Sequence, residues 1–271
     1  MSDFLSAMSD ASLLRARAAR AGAGTNGLRE RAASAPPPRA IGLSQAGFDV
    51  IAEAKLASPA EGRLTEGGAD RVVELAVVFA DRGAAVVSVL TEETRFAGRL
   101  EHLEAAAAAV DLPVMRKDFL VDPIQLLEAR AAGASGVLLI ARLLPEALLA
   151  EMTEQAMAMG MFVLVEVFDR SDLETAVGVF DREVYVGVNC RDLVSLEVDR
   201  GRFESLAPHL PDHLPAVAES GIAEPGHAGE VARLGYRLAL VGSSLVSARD
   251  PSAALDSILH AGRTARTEAE R

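Results

Sequence analysis

From Asp49 onward, short apolar runs alternate eight times with longer amphipathic stretches. The runs are DVIAEAKL (49–56), AAVVSVL (84–90), LPVMRKD (112–118), SGVLLI (135–140), MFVLVEV (161–167), VYVGVN (184–189), LPAVAES (214–220) and LALVG (238–242). Each has the length of a strand. Most are apolar nearly throughout, as strands covered on both faces are. Between them lie stretches of helical period at 70–82, 97–110, 122–132, 145–159, 170–178, about 203–208, 224–234 and 250–265. Pro123 and Pro145 suit the first turns of two of these helices. Gly83, Gly133, Gly160 and Gly235 suit helix ends.

Eight strands, each followed by a helix, predict an α/β fold of the (β/α)8 TIM-barrel type. An open doubly wound sheet is the alternative, and it would carry a glycine-rich dinucleotide loop after the first strand. Here that strand runs into Lys55-Leu56-Ala57-Ser58-Pro59 instead. Residues 1–48 fall outside the rhythm. Phe4, Leu5, Met8, Leu13 and Leu14 recur at roughly helical spacing, and a glycine break, a second short basic stretch and Pro36-Pro37-Pro38 follow. The chain therefore divides into an N-terminal helical extension at 1–48 and a barrel at 49–271.

The 271 residues carry 27 basic and 39 acidic side chains, a net charge of −12. That balance argues against a nucleic-acid partner, which calls for a basic face. It leaves room for a small phosphorylated ligand, because a few local cations and backbone amides hold one phosphate. One cysteine, Cys190, excludes a disulfide framework and a multi-cysteine metal site. No apolar run approaches the ~20 residues of a membrane span. The opening MSDFLSAMSD has acids where a secretory leader has a basic region, so a cytoplasmic protein is expected. A monomer is the working expectation.

In a barrel the active site lies at the C-terminal ends of the strands. Nearly every strand end here carries a residue that a core has no use for. Glu53 and Lys55 stand two apart in the first strand and share a face, either as a buried ion pair or as site residues. The third ends in Arg116-Lys117-Asp118, where Lys117 is either a surface lysine or a general acid whose pKa desolvation and nearby cations lower. The fifth sets Glu166 among valines. The sixth ends in Asn189, Cys190 and Arg191, and the seventh in Glu219, Ser220 and Gly221. The eighth ends in Gly242, Ser243 and Ser244. Ser-Gly after the seventh strand and Gly-Ser after the eighth match the phosphate site of many barrels, although both are also ordinary turn and cap residues.

Taken in order, EAKLASPAEG, SVLTE, PVMRKDF, LVEV, VGVNCRDL, AESGI and LVGSSL resemble the indole-3-glycerol phosphate synthase family, one motif per strand over about residues 49–250. The resemblance implies a cofactor-free and metal-free lyase that acts on a small phosphorylated substrate. Matched position by position, it makes Lys117 the general acid and Glu166 its partner acid/base. Glu53 would hold the lysine and assist dehydration. Lys55 and Arg191 would neutralise substrate anions. Asn189 and Glu219 would bind hydroxyls or orient the acid and base, and Ser58 would open the first mobile loop. Ser220, Gly221, Gly242 and Ser243 would bind phosphate. Phe96, Phe119, Leu138 and Leu193 are candidates for an apolar wall. The chain departs from the family pattern at Ala54, Ala60, Arg95, Arg99 and Cys190. Those departures leave a paralogue acting on a modified anthranilate as an alternative, alongside a phosphoribosyl sugar isomerase type of barrel and a non-catalytic barrel.

Overall fold

The computed structural model describes residues 3–179, 181 and 183–269. Eight parallel strands close into a barrel: β1 (Asp49–Ala54), β2 (Val86–Leu90), β3 (Val114–Lys117), β4 (Gly136–Ile140), β5 (Phe162–Val167), β6 (Tyr185–Asn189), β7 (Ala216–Glu219) and β8 (Leu238–Val241). β1 pairs with β8 on one side, from Asp49 opposite Leu238, and with β2 on the other, from Ile51 opposite Val86. The strands are buried along almost their whole length because the barrel packs one face and the helices cover the other. Phe48, Ile51, Leu75, Phe79, Met115, Leu138 and Leu139 are among the largest side chains wholly out of solvent.

The helical pattern is legible in the chain, with local differences. Gly83 and Gly133 leave their helices at φ 77° and 86°, a conformation that favours glycine. Pro123 and Pro145 stand one place earlier than expected, at the position preceding the helices Ile124–Ala131 and Glu146–Ala158. Asp122 explains the first case: its carboxylate accepts the backbone N–H of Ile124 and closes the helix start itself. The stretch at 97–110 holds the helix Leu100–Ala109, and a separate single turn at Glu93–Phe96 precedes it. Glu92 makes the separate turn, its side chain accepting from the N–H groups of Thr94, Arg95 and Phe96. A two-stranded hairpin of Ala57–Ser58 and Gly62–Arg63 follows β1.

Two helices precede the barrel, α1 (Asp3–Ala21) and α2 (Gly24–Ser34). Leu5 and Met8 of α1 belong to the same hydrophobic cluster as the barrel strands. Polar contacts pin α1 more specifically. Arg15 meets Asp118 at 2.7 Å, Ser12 donates to the carbonyl of Phe119, and Gln125 donates to the Ser12 hydroxyl at 2.8 Å. The helix is thus tied to the segment that follows β3. Among the described residues no helix is long and apolar enough to cross a membrane.

Candidate active site

A cavity of about 490 Å³ opens at the C-terminal ends of the strands. Its lining includes Glu53, Lys55, Ser58, Lys117, Glu166, Asn189, Arg191, Ser220, Gly221, Gly242 and Ser243. Glu219 reaches the site through Lys117 rather than by lining the cavity. Residues spread over 190 positions of sequence meet here because each stands at the end of a strand or in the loop just after it.

Lys117, the last residue of β3, is the centre of the charge arrangement. Its Nζ lies 2.9 Å from Glu219 Oε2, 3.6 Å from Glu53 Oε2 and 3.8 Å from Glu166 Oε2. A second ammonium, Lys55, sits 2.7 Å from Glu53 Oε1. Glu53, Glu166 and Glu219 are each no more than 3% exposed. Two glycines make room for them. A Cβ at Gly187 would stand 1.9 Å from Glu219 Oε1, and one at Gly242 would stand 2.3 Å from Glu53 Oε1.

Three carboxylates against two ammonium groups leave one negative charge in excess. The electrostatics resolve this at Glu166. Burial and the charge of Glu219 push its pKa up to about 8, against the opposing pull of Lys117 and the Asn189 hydrogen bond. Glu166 therefore keeps its proton near neutral pH, and the cluster balances. Burial also disfavours the charge on Glu53, but Lys55 and Lys117 outweigh it and hold that carboxyl below its ordinary value.

Lys117 departs from the sequence expectation. Burial does oppose its ammonium, but Glu219, Glu53 and Glu166 overcome that and raise its pKa. The expected lowering assumed cations as neighbours, and the barrel brings carboxylates instead. Lys117 is thus charged across the ordinary pH range, with a proton to give to an oxygen that becomes an alkoxide. Lys55 similarly answers to two descriptions, since it both pairs with buried Glu53 and faces the cavity.

Part of the cavity lining is apolar. Phe96, Phe119, Leu138 and Leu193 belong to it, as the sequence suggests, together with Ile140 and Phe4. The Phe4 and Phe119 rings pack edge to face with centroids 6.0 Å apart, and Phe96 lies 6.3 Å from Phe119. Phe4 escapes a sequence reading of the site because its only local signal is the apolar spacing of α1. Asp118 is also missed. It accepts from Thr91 Oγ1 at 2.7 Å and from Arg116 at 3.1 Å, and binds Arg15 besides, so it fixes the backbone next to Lys117.

At the far end, Ser220 and Gly221 have φ 63° and 68°. Ser220 is not glycine, so this backbone is strained by roughly 1–3 kcal/mol, a cost typical of sites that aim backbone groups at a ligand. Across from it, Gly242 leads into Ser243–Val246, whose first N–H groups have no carbonyl behind them. Of the departures from the family pattern, Ala60 lines the cavity, Ala54 and Cys190 are buried, and Arg99 is exposed. Arg95 lies over the Phe4 ring at 5.7 Å.

Comparison with known proteins follows the same lines. The family model of indole-3-glycerol phosphate synthase matches residues 22–258. The chain is 46% identical over 237 residues to indole-3-glycerol phosphate synthase 1 of Streptomyces coelicolor, covering 87% of each protein. It is 44% identical over 240 residues to the synthase of Streptomyces griseus, again covering 87% of each. Among solved structures it resembles thiamine phosphate pyrophosphorylase from Pyrococcus furiosus (TM-score 0.59, 17% identity, 81% of this chain and 97% of that one). It also resembles 3-hexulose-6-phosphate synthase from Salmonella typhimurium (TM-score 0.62, 12% identity, 82% and 99%). At such identities those two likenesses speak for the barrel alone.

Proposed function

The chain belongs to the indole-3-glycerol phosphate synthase family, and from that premise we propose that it converts 1-(2-carboxyphenylamino)-1-deoxyribulose 5-phosphate to indole-3-glycerol phosphate, a carboxy-lyase step of tryptophan biosynthesis. The observation that carries the reading is the Lys117 ammonium held among Glu53, Glu166 and Glu219, in a cavity that apolar side chains and the loops after β7 and β8 also line.

The substrate has three parts, and the cavity has a counterpart for each. The aryl ring lies against Phe4, Phe96, Phe119 and Leu138. Lys55 and Arg191 offset its anionic charge. The phosphate meets Ser220, Gly221, Gly242 and Ser243. The acidic total of the chain is no obstacle, because these local cations and amides set the field inside the cavity.

The ring carbon that bears the carboxylate attacks the ribulose carbonyl carbon, and Lys117 protonates the carbonyl oxygen as that bond forms. Carbon dioxide leaves, and the electrons of the broken bond restore the aromatic ring. The nitrogen lone pair then expels the new hydroxyl as water, for which protonated Glu166 supplies the proton. The indolium so formed is acidic at the carbon beside nitrogen, so even a weak base such as ionised Glu53 takes its proton. One carbon–carbon bond has formed, and carbon dioxide and water have been lost. Glu219 keeps Lys117 aimed, and Asn189 contacts Glu166.

The test is direct. Incubation with the substrate should give a product lighter by one carbon dioxide and one water, identified by mass. Substrate recovered intact would sink the reading.

A further inference from the structure

Beyond the phosphate loops the cavity ends on a rim that none of the steps above uses. His227, in the helix Pro225–Arg233, lines it beside Arg200, Ala223, Ser244 and Ser247. The ring is oriented by its own chain: Nδ1 accepts a 3.2 Å hydrogen bond from the backbone N–H of Ala223. With Nδ1 an acceptor, the proton of the neutral ring is on Nε2. Among the described residues nothing accepts a hydrogen bond from that Nε2. Ala223 stands three residues after Ser220 and two after Gly221, so the same bond ties the imidazole to the strained loop assigned to the phosphate. Arg200 brings a cation to this end, and Glu230, one turn after His227, holds its guanidinium.

We propose that His227 is a phosphate-binding residue, donating from Nε2 to a phosphate oxygen of the substrate beside the amides and hydroxyls of Ser220, Gly221, Gly242 and Ser243. The proposal rests on the reading of those loops as the phosphate site and deepens it. Backbone amides bind any anion of suitable size. An imidazole adds a directional donor, and its bond to an anionic phosphate oxygen is charge-assisted. Because Nδ1 is already committed to Ala223, the ring stands in place before the ligand arrives, so little side-chain freedom is lost on binding.

Inorganic phosphate is the probe, read in two ways. In protein labelled with ¹⁵N at its histidines, phosphate should shift one imidazole Nε2 signal, and His227→Gln should remove that signal. In steady state, His227→Ala should raise KM and the inhibition constant of phosphate together by about tenfold, the loss expected for one charge-assisted hydrogen bond, with kcat within about twofold. His227→Gln, which keeps an amide donor, should recover most of the loss. A merely structural histidine would lower the melting temperature and leave the KM-to-kcat split unmoved. If phosphate inhibits the wild type and His227→Ala equally while turnover persists, the role of His227 is overturned and the proposed activity stands. If the wild type neither turns over nor binds phosphate, the reading of the loops falls with it. If phosphate moves His227 without turnover, the binding role stands and the activity is wrong.

Discussion

A Cβ on Gly187 would stand 1.9 Å from Glu219 Oε1, so Glu219 can hold Lys117 at 2.9 Å only because position 187 in the neighbouring strand lacks a side chain. Gly187→Ala should therefore displace Glu219 and misdirect the ammonium. The expected result is a kcat lower by about 10- to 100-fold, with an overpacking cost of about 1–3 kcal/mol in stability. In the background of Glu219→Gln the same glycine change should cost little further activity. Independent, additive losses would show that the two residues do not act through one another.

Glu166 carries a pKa of about 8 in the folded chain, against an ordinary value of 4.5, because burial and Glu219 disfavour its charge. A carboxyl raised on folding stabilises the fold fully below its ordinary pKa. That contribution is lost as pH rises through the folded value. The gap in unfolding free energy between Glu166→Gln and the wild type should thus grow from about pH 4.5 to about pH 8 and then level off. In the same window kcat/KM should fall above about pH 8, as the proton needed for the departing hydroxyl is lost. A flat stability difference would contradict the assignment.

Ser243 opens the short helix after β8 and faces the cavity. Ser243→Asp places a carboxylate beside the phosphate. KM should rise by more than about tenfold, since like charges at this range cost over 1.4 kcal/mol, while kcat changes little. An unchanged KM would move the phosphate elsewhere.

Phe4 is half-buried at the start of α1 and forms part of the apolar wall. Phe4→Ala should raise KM several-fold through lost ring contact, on the order of 1 kcal/mol. The melting temperature should barely move, because Arg15, Ser12 and Leu5 still anchor the helix. A large drop in melting temperature with unchanged KM would make Phe4 a residue of the fold rather than of the site.

How much of this is legible in the sequence depends on the range of the interaction. Strand and helix order is local, carried by runs such as VLLI and by glycines such as Gly133, so the barrel can be read directly. The barrel rule then places Glu53, Lys117, Glu166 and Asn189 in one cavity, because strand ends converge. Pairings across the barrel are another matter. The sign of the Lys117 shift depends on which charges lie opposite it, and neither alternation nor spacing tells carboxylates from cations there. The contact of Phe4 with Phe119 links positions more than a hundred residues apart, and the capping of Glu93–Phe96 by Glu92 requires the loop path itself. His227 carries no motif at all. Its place becomes visible only when Ala223 offers it a backbone proton.

The central claim is that Lys117 is the proton donor of an indole-forming reaction. The chain contains no tryptophan, so newly formed indole is visible above a dark protein background. Following indole emission after adding 1-(2-carboxyphenylamino)-1-deoxyribulose 5-phosphate, for the wild type and Lys117→Ala side by side, tests it most directly. The wild type should give a rising signal, and the variant should be slower by about 10²- to 10⁴-fold at saturating substrate, the range for losing a general acid. A dark wild type, or a variant that keeps most of the wild-type rate, would contradict the account.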